Sequence, residues 1–272
     1  AYARSCGQPP LFIAIDQEGG RVARLKELLT QFPGNPKMKG PEDAMVFART
    51  TSNELRTLGI NMNLAPVLDV VPEGVDGVMA DRVFGPDPTW VSELGMVVIE
   101  HLQANKIMAV AKHFPGIGRT VLDSHLEMPD LETDADAMET SDLIPFQAAI
   151  KHNVAGIMLS HILYKKMDPH WPASLSTAIA GDLLRRRMGY VGLTMTDDLD
   201  MGALKKNYDI HTVIRRILLS DIDIALICHA GPDIENAFKE ILDAQSQSES
   251  IQAKGVESLK RIFELKSKYL QR

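Results

Sequence analysis

Short apolar runs alternate with longer amphipathic stretches along the chain. The runs cover residues 11–15, 62–70, 107–111, 156–160, 193–196 and 222–228. They are near-continuous rather than alternating, which predicts strands covered on both faces. Between them, residues 42–58 place apolar side chains at helical spacing and stop before Gly59. Residues 91–103 carry Leu94, Val97, Val98 and Leu102 on one face, and 143–151, 179–188, 234–242 and 256–270 repeat the pattern. Strand and helix units recurring every roughly 30–50 residues predict a parallel sheet with helices packed on it. No linker, low-complexity tract or close internal repeat interrupts the pattern, so residues 1–272 read as one domain.

The ends of the runs decide between an open sheet and a barrel. They finish in turn on Asp16, on Asp69, on Lys112 and His113, on His161, on Asp197 and Asp198, and on His229. A barrel gathers the C-terminal ends of many strands around one active site, whereas a doubly wound sheet concentrates its chemistry at one switch point. No Gly-x-Gly-x-x-Gly follows the first run, so no dinucleotide fingerprint supports the second architecture. The expectation is an α/β, TIM-type (β/α)8 barrel. Such a barrel needs eight strands and the pattern supplies six, the first beginning at Leu11. The missing units are expected upstream, with the chain N-terminally incomplete; six strands alone leave two unpaired edges, an aggregation hazard.

Composition changes this picture little. Of 272 residues, 45% are apolar and 24% charged, an ordinary globular balance that suffices for one full core. A net charge of −7 argues against nucleic acid as a partner, because phosphate binding wants a basic face. Cys6 and Cys228 stand far apart in no metal-ligand spacing, which favours a reducing, cytoplasmic setting. No run approaches the ~18 apolar residues of a membrane span.

The chemistry concentrates after the third run, in Lys112-His-Phe-Pro-Gly-Ile-Gly-Arg-Thr-Val-Leu-Asp-Ser-His-Leu-Glu-Met-Pro129. The strand end fixes Lys112 and His113, and the Gly/Pro-punctuated loop beyond it carries Asp123 and His125. An Asp that grips an imidazole fixes its tautomer and tunes it for proton transfer. At the fifth strand end, Asp197 and Asp198 are adjacent: one suits the N-cap of a helix starting near Leu199, the other suits a ligand-facing nucleophile. Asp16 reads as a turn residue or, with Glu18, Arg21 and Arg24, as part of a polar loop for hydroxyl-rich ligands. Arg82 reads as a solvated cation or a ligand contact. His161 reads as a satisfied core histidine, and His101, His152, His170 and His211 as surface groups.

Together these residues resemble the β-N-acetylglucosaminidases of glycoside hydrolase family 3, the NagZ type. The resemblance rests on Asp16-Gln-Glu-Gly-Gly-Arg-Val, Asn63-Leu-Ala-Pro-Val-Leu-Asp69, Asp81-Arg-Val-Phe-Gly85, Lys112-His-Phe-Pro-Gly116, Asp123-Ser-His125, Pro172-Ala-Ser-Leu-Ser176 and Thr196-Asp-Asp-Leu199. It implies a catalytic barrel with Asp197 as nucleophile, His125 as general acid/base and Asp123 as its partner. It implies sugar-ring contacts from Asp16, Arg24, Arg82, Lys112 and His113. One departure falls in the loop, where the family usually has Gly-His-Gly-Asp and this chain has Gly116-Ile-Gly-Arg119.

The implied function is a retaining exo-β-N-acetylglucosaminidase acting on small carbohydrates, either GlcNAc-containing muropeptides or chitooligosaccharides, in cell-wall recycling. No metal or organic cofactor is implied. A β-glucosidase, β-xylosidase or glycoside phosphorylase of the same family is the nearest alternative. From other classes, a non-catalytic sugar-binding barrel, an inactive fragment, and a metal-dependent hydrolase built on His113, His161, His229 and Asp197 are the rivals.

Overall fold

Six parallel strands form one sheet in chain order: β1 (Ala14–Ile15), β2 (Met62–Asn63), β3 (Met108–Phe114), β4 (Gly156–Leu159), β5 (Leu193–Asp198) and β6 (Ile224–Leu226). This computed structural model describes residues 7, 9–75, 77–120 and 127–270. Each strand pairs with the next in parallel, with registers such as Met62 opposite Met108 and Ile157 opposite Thr194. Parallel neighbours in sequence order require a crossover after every strand, and helices supply most of them. They are α1 (Pro41–Thr57), α2 (Pro88–Ala104), α3 (Ala135–Glu139), α4 (Leu143–Lys151), a π-helix (Thr177–Arg187), α5 (Gly202–Lys205) and α6 (Ile210–Leu219). After β6 come α7 (Pro232–Gln247) and α8 (Glu249–Leu270).

The apolar runs are continuous because both faces of the sheet are covered. Ala109, Ala111, Ile157 and Leu159 point into a core shared with α1, α2, α4 and the π-helix. Met108, Val110, Met158, Leu193 and Met195 point to the opposite face, where Ile262, Leu265 and Tyr269 of α8 pack on them. Every residue of β3 is buried, and each large apolar side chain so placed contributes about 1.5–3 kcal/mol. Local signals fix the helix starts: Pro occupies the first turn of α1, α2 and α7. The side chains of Asp87 and Asp209 accept from Thr89 N and Thr212 N at the caps of α2 and α6.

Three expectations are revised. The second apolar run is a strand only at Met62–Asn63, with one further bridge between Val67 and Lys112; Pro66 brings no N–H to the ladder. The fifth strand continues through Asp198, and the next helix starts at Gly202, so neither Asp197 nor Asp198 caps it. Helix α6 was not among the expected helices, although Val213, Ile214 and Ile217 form its buried side. Among the described residues neither β1 nor β6 has a partner on its outer edge. The described residues therefore form a parallel α/β sheet of six strands in barrel order.

Candidate active site

The chain after β1 doubles back in a tight antiparallel pair, Gln17–Gly19 with Val22–Ala23. Gly19 and Gly20 make the turn at φ of +86° and +60°, a region L side chains avoid, and a Cβ on Gly20 would sit 3.1 Å from Gly34 Cα. The return brings Arg24 to Asp16, Nη2 to Oδ2 at 3.2 Å. It also turns Glu18 inward, where it is buried. Asn63 of β2 ties the turn down: its Oδ1 accepts from Gln17 N and its Nδ2 donates to Gln17 O, each at 3.0 Å.

Glu18 meets two cations from other parts of the chain. Arg82 donates to it through Nε at 3.0 Å and Nη2 at 2.7 Å, the bidentate geometry that suits guanidinium and carboxylate. Lys112, buried near the end of β3, places Nζ 2.6 Å from Glu18 Oε1 and 2.7 Å from Asp16 Oδ1. Among the described residues these two carboxylates are the ammonium's ion-pair partners, and the side chain also lines a cleft. Burial alone would raise the Asp16 pKa, but the charge and hydrogen bond of Lys112, with Arg24, outweigh it and hold the carboxyl at about 2. Burial opposes the charge of Lys112 too, yet Glu18 and Asp16 keep its pKa above the usual lysine value. Glu18 is shifted down, against its burial, by Lys112 and Arg82.

His113 is oriented from behind. Its Nδ1 donates to Asp69 Oδ2 at 2.7 Å, and the other oxygen of Asp69 accepts from His113 N at 3.3 Å and Ile117 N at 2.8 Å. The ring's Nε2 is left facing Arg82 Nη2 at 3.5 Å. A carboxylate that fixes one ring nitrogen decides what the other presents.

Asp197 stands near the end of β5. One oxygen accepts from Asp198 N at 2.8 Å; the other has no hydrogen-bond partner among the described residues. Burial pushes its pKa up, but the His113 and His161 imidazoles, the Asp198 N–H and Lys112 together bring it below the ordinary value. His161 is itself fully committed: Nε2 donates to Asp198 O at 3.0 Å and Nδ1 lies 2.7 Å from Ser174 Oγ. Burial depresses its pKa despite the nearby carboxylates, so it is the satisfied core histidine that the sequence suggested.

These groups surround one cleft of about 710 Å³, whose wall includes Asp16, Arg24, Arg82, Lys112, His113 and Asp197. Six of the eight expected site residues are therefore brought together. Asp123 and His125 lie outside the described residues. Sequence reasoning placed Glu18 only in a polar loop for hydroxyl-rich ligands and assigned no role to Asp69, although both sit in the quoted motifs and Asp69 ends an apolar run. The rival metal set of His113, His161, His229 and Asp197 is not assembled. Among the described residues the one metal-type grouping is Asp198, Asp200 and His229. Its groups serve other contacts: Asp198 Oδ1 accepts from Asp200 N and Cys228 N, and Asp200 pairs with Lys205.

The profile described as "Glycosyl hydrolase family 3 N terminal domain" matches residues 1–265. Beta-hexosaminidase A of Pseudoalteromonas piscicida is 36% identical over 296 residues, taking in 100% of this chain and 50% of that protein. A beta-hexosaminidase of Thioalkalivibrio sulfidiphilus strain HL-EbGR7 is 36% identical over 253 residues, 89% of this chain and 72% of the relative. The solved glycoside hydrolase family 3 β-N-acetylglucosaminidase from Paenibacillus sp. str. FPU-7 superposes with a TM-score of 0.93 at 33% identity, covering 98% of this chain and 52% of that one. The chain thus spans about half the length of the Pseudoalteromonas and Paenibacillus relatives. With a matching profile, matching fold and matching motifs, the chain belongs to glycosyl hydrolase family 3.

Proposed function

We propose that residues 1–272 form one catalytic domain that removes terminal β-linked N-acetylglucosamine with retention of configuration. The observation that carries this reading is Asp197: an aspartate shifted toward ionisation inside a polar cleft, with one oxygen uncommitted. The relatives' hexosaminidase activities and the strand order support it. The same order supports completion of the sheet as a (β/α)8 barrel, with further strands between the free edges of β1 and β6.

In this mechanism the free oxygen of Asp197 attacks the anomeric carbon and forms a glycosyl ester. His125 gives its proton to the departing oxygen, with Asp123 holding the other ring nitrogen. The neutral imidazole then takes a proton from water, the resulting hydroxide attacks the same carbon, and Asp197 leaves as carboxylate. Two inversions give net retention. Asp16, Arg24, Arg82, Lys112 and His113 supply acceptors and donors to the sugar hydroxyls. A His near its usual pKa of about 6.5 serves both as acid and as base close to neutrality. Cell-wall-derived saccharides in the cytoplasm are the substrate pool in this reading.

A 5-fluoro-N-acetylglucosaminyl fluoride, which slows hydrolysis of the ester, tests the assignment directly. Peptide mapping should find the sugar on Asp197, and labelling of any other residue would sink the nucleophile. Product analysis with and without phosphate separates hydrolysis from phosphorolysis. A muropeptide and a chitooligosaccharide offered together rank the two substrate classes.

A further inference from the structure

The chain between His113 and Thr120 is held more tightly than a connecting loop requires. Gly116 N donates to His113 O at 2.9 Å, and Gly116 O accepts from the buried Tyr164 hydroxyl at 2.8 Å. Ile117 N donates to Asp69. At Gly118 there is no room for a side chain, since a Cβ would lie 1.9 Å from the Val70 carbonyl oxygen. The next residue, Arg119, turns to Asp142, with Nε 3.0 Å and Nη2 2.9 Å from Oδ2.

Asp142 is an unusual partner. It occupies the N-cap position of α4, where an aspartate ordinarily accepts from the helix's own N–H groups, yet it makes no such bond. Its carboxylate is fully buried, and Oδ1 has no hydrogen-bond partner among the described residues. Burial raises its pKa, and Arg119 is the cation that opposes this. A buried carboxylate diverted from its cap to a single arginine is costly to keep. What it secures is the place and heading of the backbone at residue 119. His125 follows Arg119 by six residues.

We propose that Arg119 is a positioning residue for proton transfer: its ion pair with Asp142 fixes the root from which the chain bearing His125 sets out. The inference rests on the reading of His125 as acid/base. A misplaced acid costs most when the aglycone needs a proton to depart, and little when it does not.

The test compares kcat/KM of the full chain for aryl N-acetylglucosaminides with good and poor leaving groups. For Arg119→Met, the expected loss is at least about tenfold with a 4-methoxyphenyl aglycone and within about twofold with 2,4-dinitrophenyl. The double variant Arg119→Met/Asp142→Leu removes the buried charge with its partner. It should recover the parent melting temperature while keeping the leaving-group-dependent loss. Equal losses for both aglycones, or recovery of activity along with stability in the double variant, would overturn the positioning role. His125→Ala, run in parallel, separates the two ideas. If it too shows no dependence on the leaving group, the acid/base reading fails; if it does and Arg119→Met does not, only the positioning role fails.

Discussion

Both ends of the parallel sheet carry a buried ion network. At the N-terminal ends of β5 and β6, Asp223 is bound on both oxygens: Oδ2 accepts from Arg185 Nη2 at 2.7 Å and Thr194 N at 2.8 Å, and Oδ1 from Arg261 Nε at 2.9 Å. Arg261 comes from α8, so this network clasps the last helix to the sheet. At the C-terminal ends of β1 and β3, the Asp16, Glu18, Arg82 and Lys112 network has a similar charge content. It differs in being open: among the described residues one oxygen of Asp197 has no hydrogen-bond partner, and Asp16, Arg82, Lys112 and Asp197 line a cleft. Charge density does not separate a structural network from a functional one. What sets the candidate site apart is the cleft that its groups line.

Substitutions at the two ends should therefore fail in different ways. The largest effect is expected at Asp197→Asn, with kcat reduced about 10⁴-fold or more and the melting temperature near that of the parent, read by aryl-glycoside turnover and calorimetry. Next comes Asp223→Ala, which strands Arg185 and Arg261; it should cost about 3–5 kcal/mol in urea unfolding while the folded fraction turns over at the parental rate. A large loss of specific activity there would erase the distinction between the two ends.

Asp16 gives a smaller, pH-dependent effect. Its folded pKa, about 2, lies below the ordinary 3.8, so its contribution is complete above the unfolded value and is lost as pH falls through the folded one. Between pH 5 and pH 2 the parent should lose about 2 kcal/mol more than Asp16→Asn. Parallel acid limbs for the two proteins would argue against the Lys112 pairing. The smallest effect is expected at His229→Ala, whose side chain is 78% exposed beside Asp200: less than about 1 kcal/mol in stability, with activity insensitive to chelator in both proteins. Chelator-sensitive turnover would revive the metal-dependent alternative.

Much of the cleft could be read from residue order because parallel strands in sequence order all deliver their C-terminal ends to one rim. That geometry made Asp16, Lys112, His113 and Asp197 visible as candidates. It does not tell which way each side chain turns: Asp69 and His161 also end apolar runs, and they face inward to hold His113 and Asp198 O. Glu18 read as a loop group for ligand, and its buried pairing was hidden because that depends on a two-glycine turn and on cations 64 and 94 residues away; its bonds to Arg82 show the first separation, and 112 − 18 gives the second. Asp142 had no reading in the sequence; it stands at the cap position of α4, but its carboxylate turns to Arg119. The second strand was overdrawn because regular strand covers only Met62–Asn63, although single bonds to β3, such as Lys112 N to Pro66 O and Leu68 N to Lys112 O, continue beyond it.

The shared carboxylate of Asp69 links two tasks that are usually discussed apart. It grips the imidazole of His113, the proposed sugar contact, and, through Ile117 N, the peptide leading toward the proposed dyad of Asp123 and His125. Tilting that ring to fit a different hexose would tug on the tether of the proton donor. In the proposed mechanism selectivity and turnover are thus mechanically yoked, and an effort to broaden the first should be paired with compensating changes around Asp69.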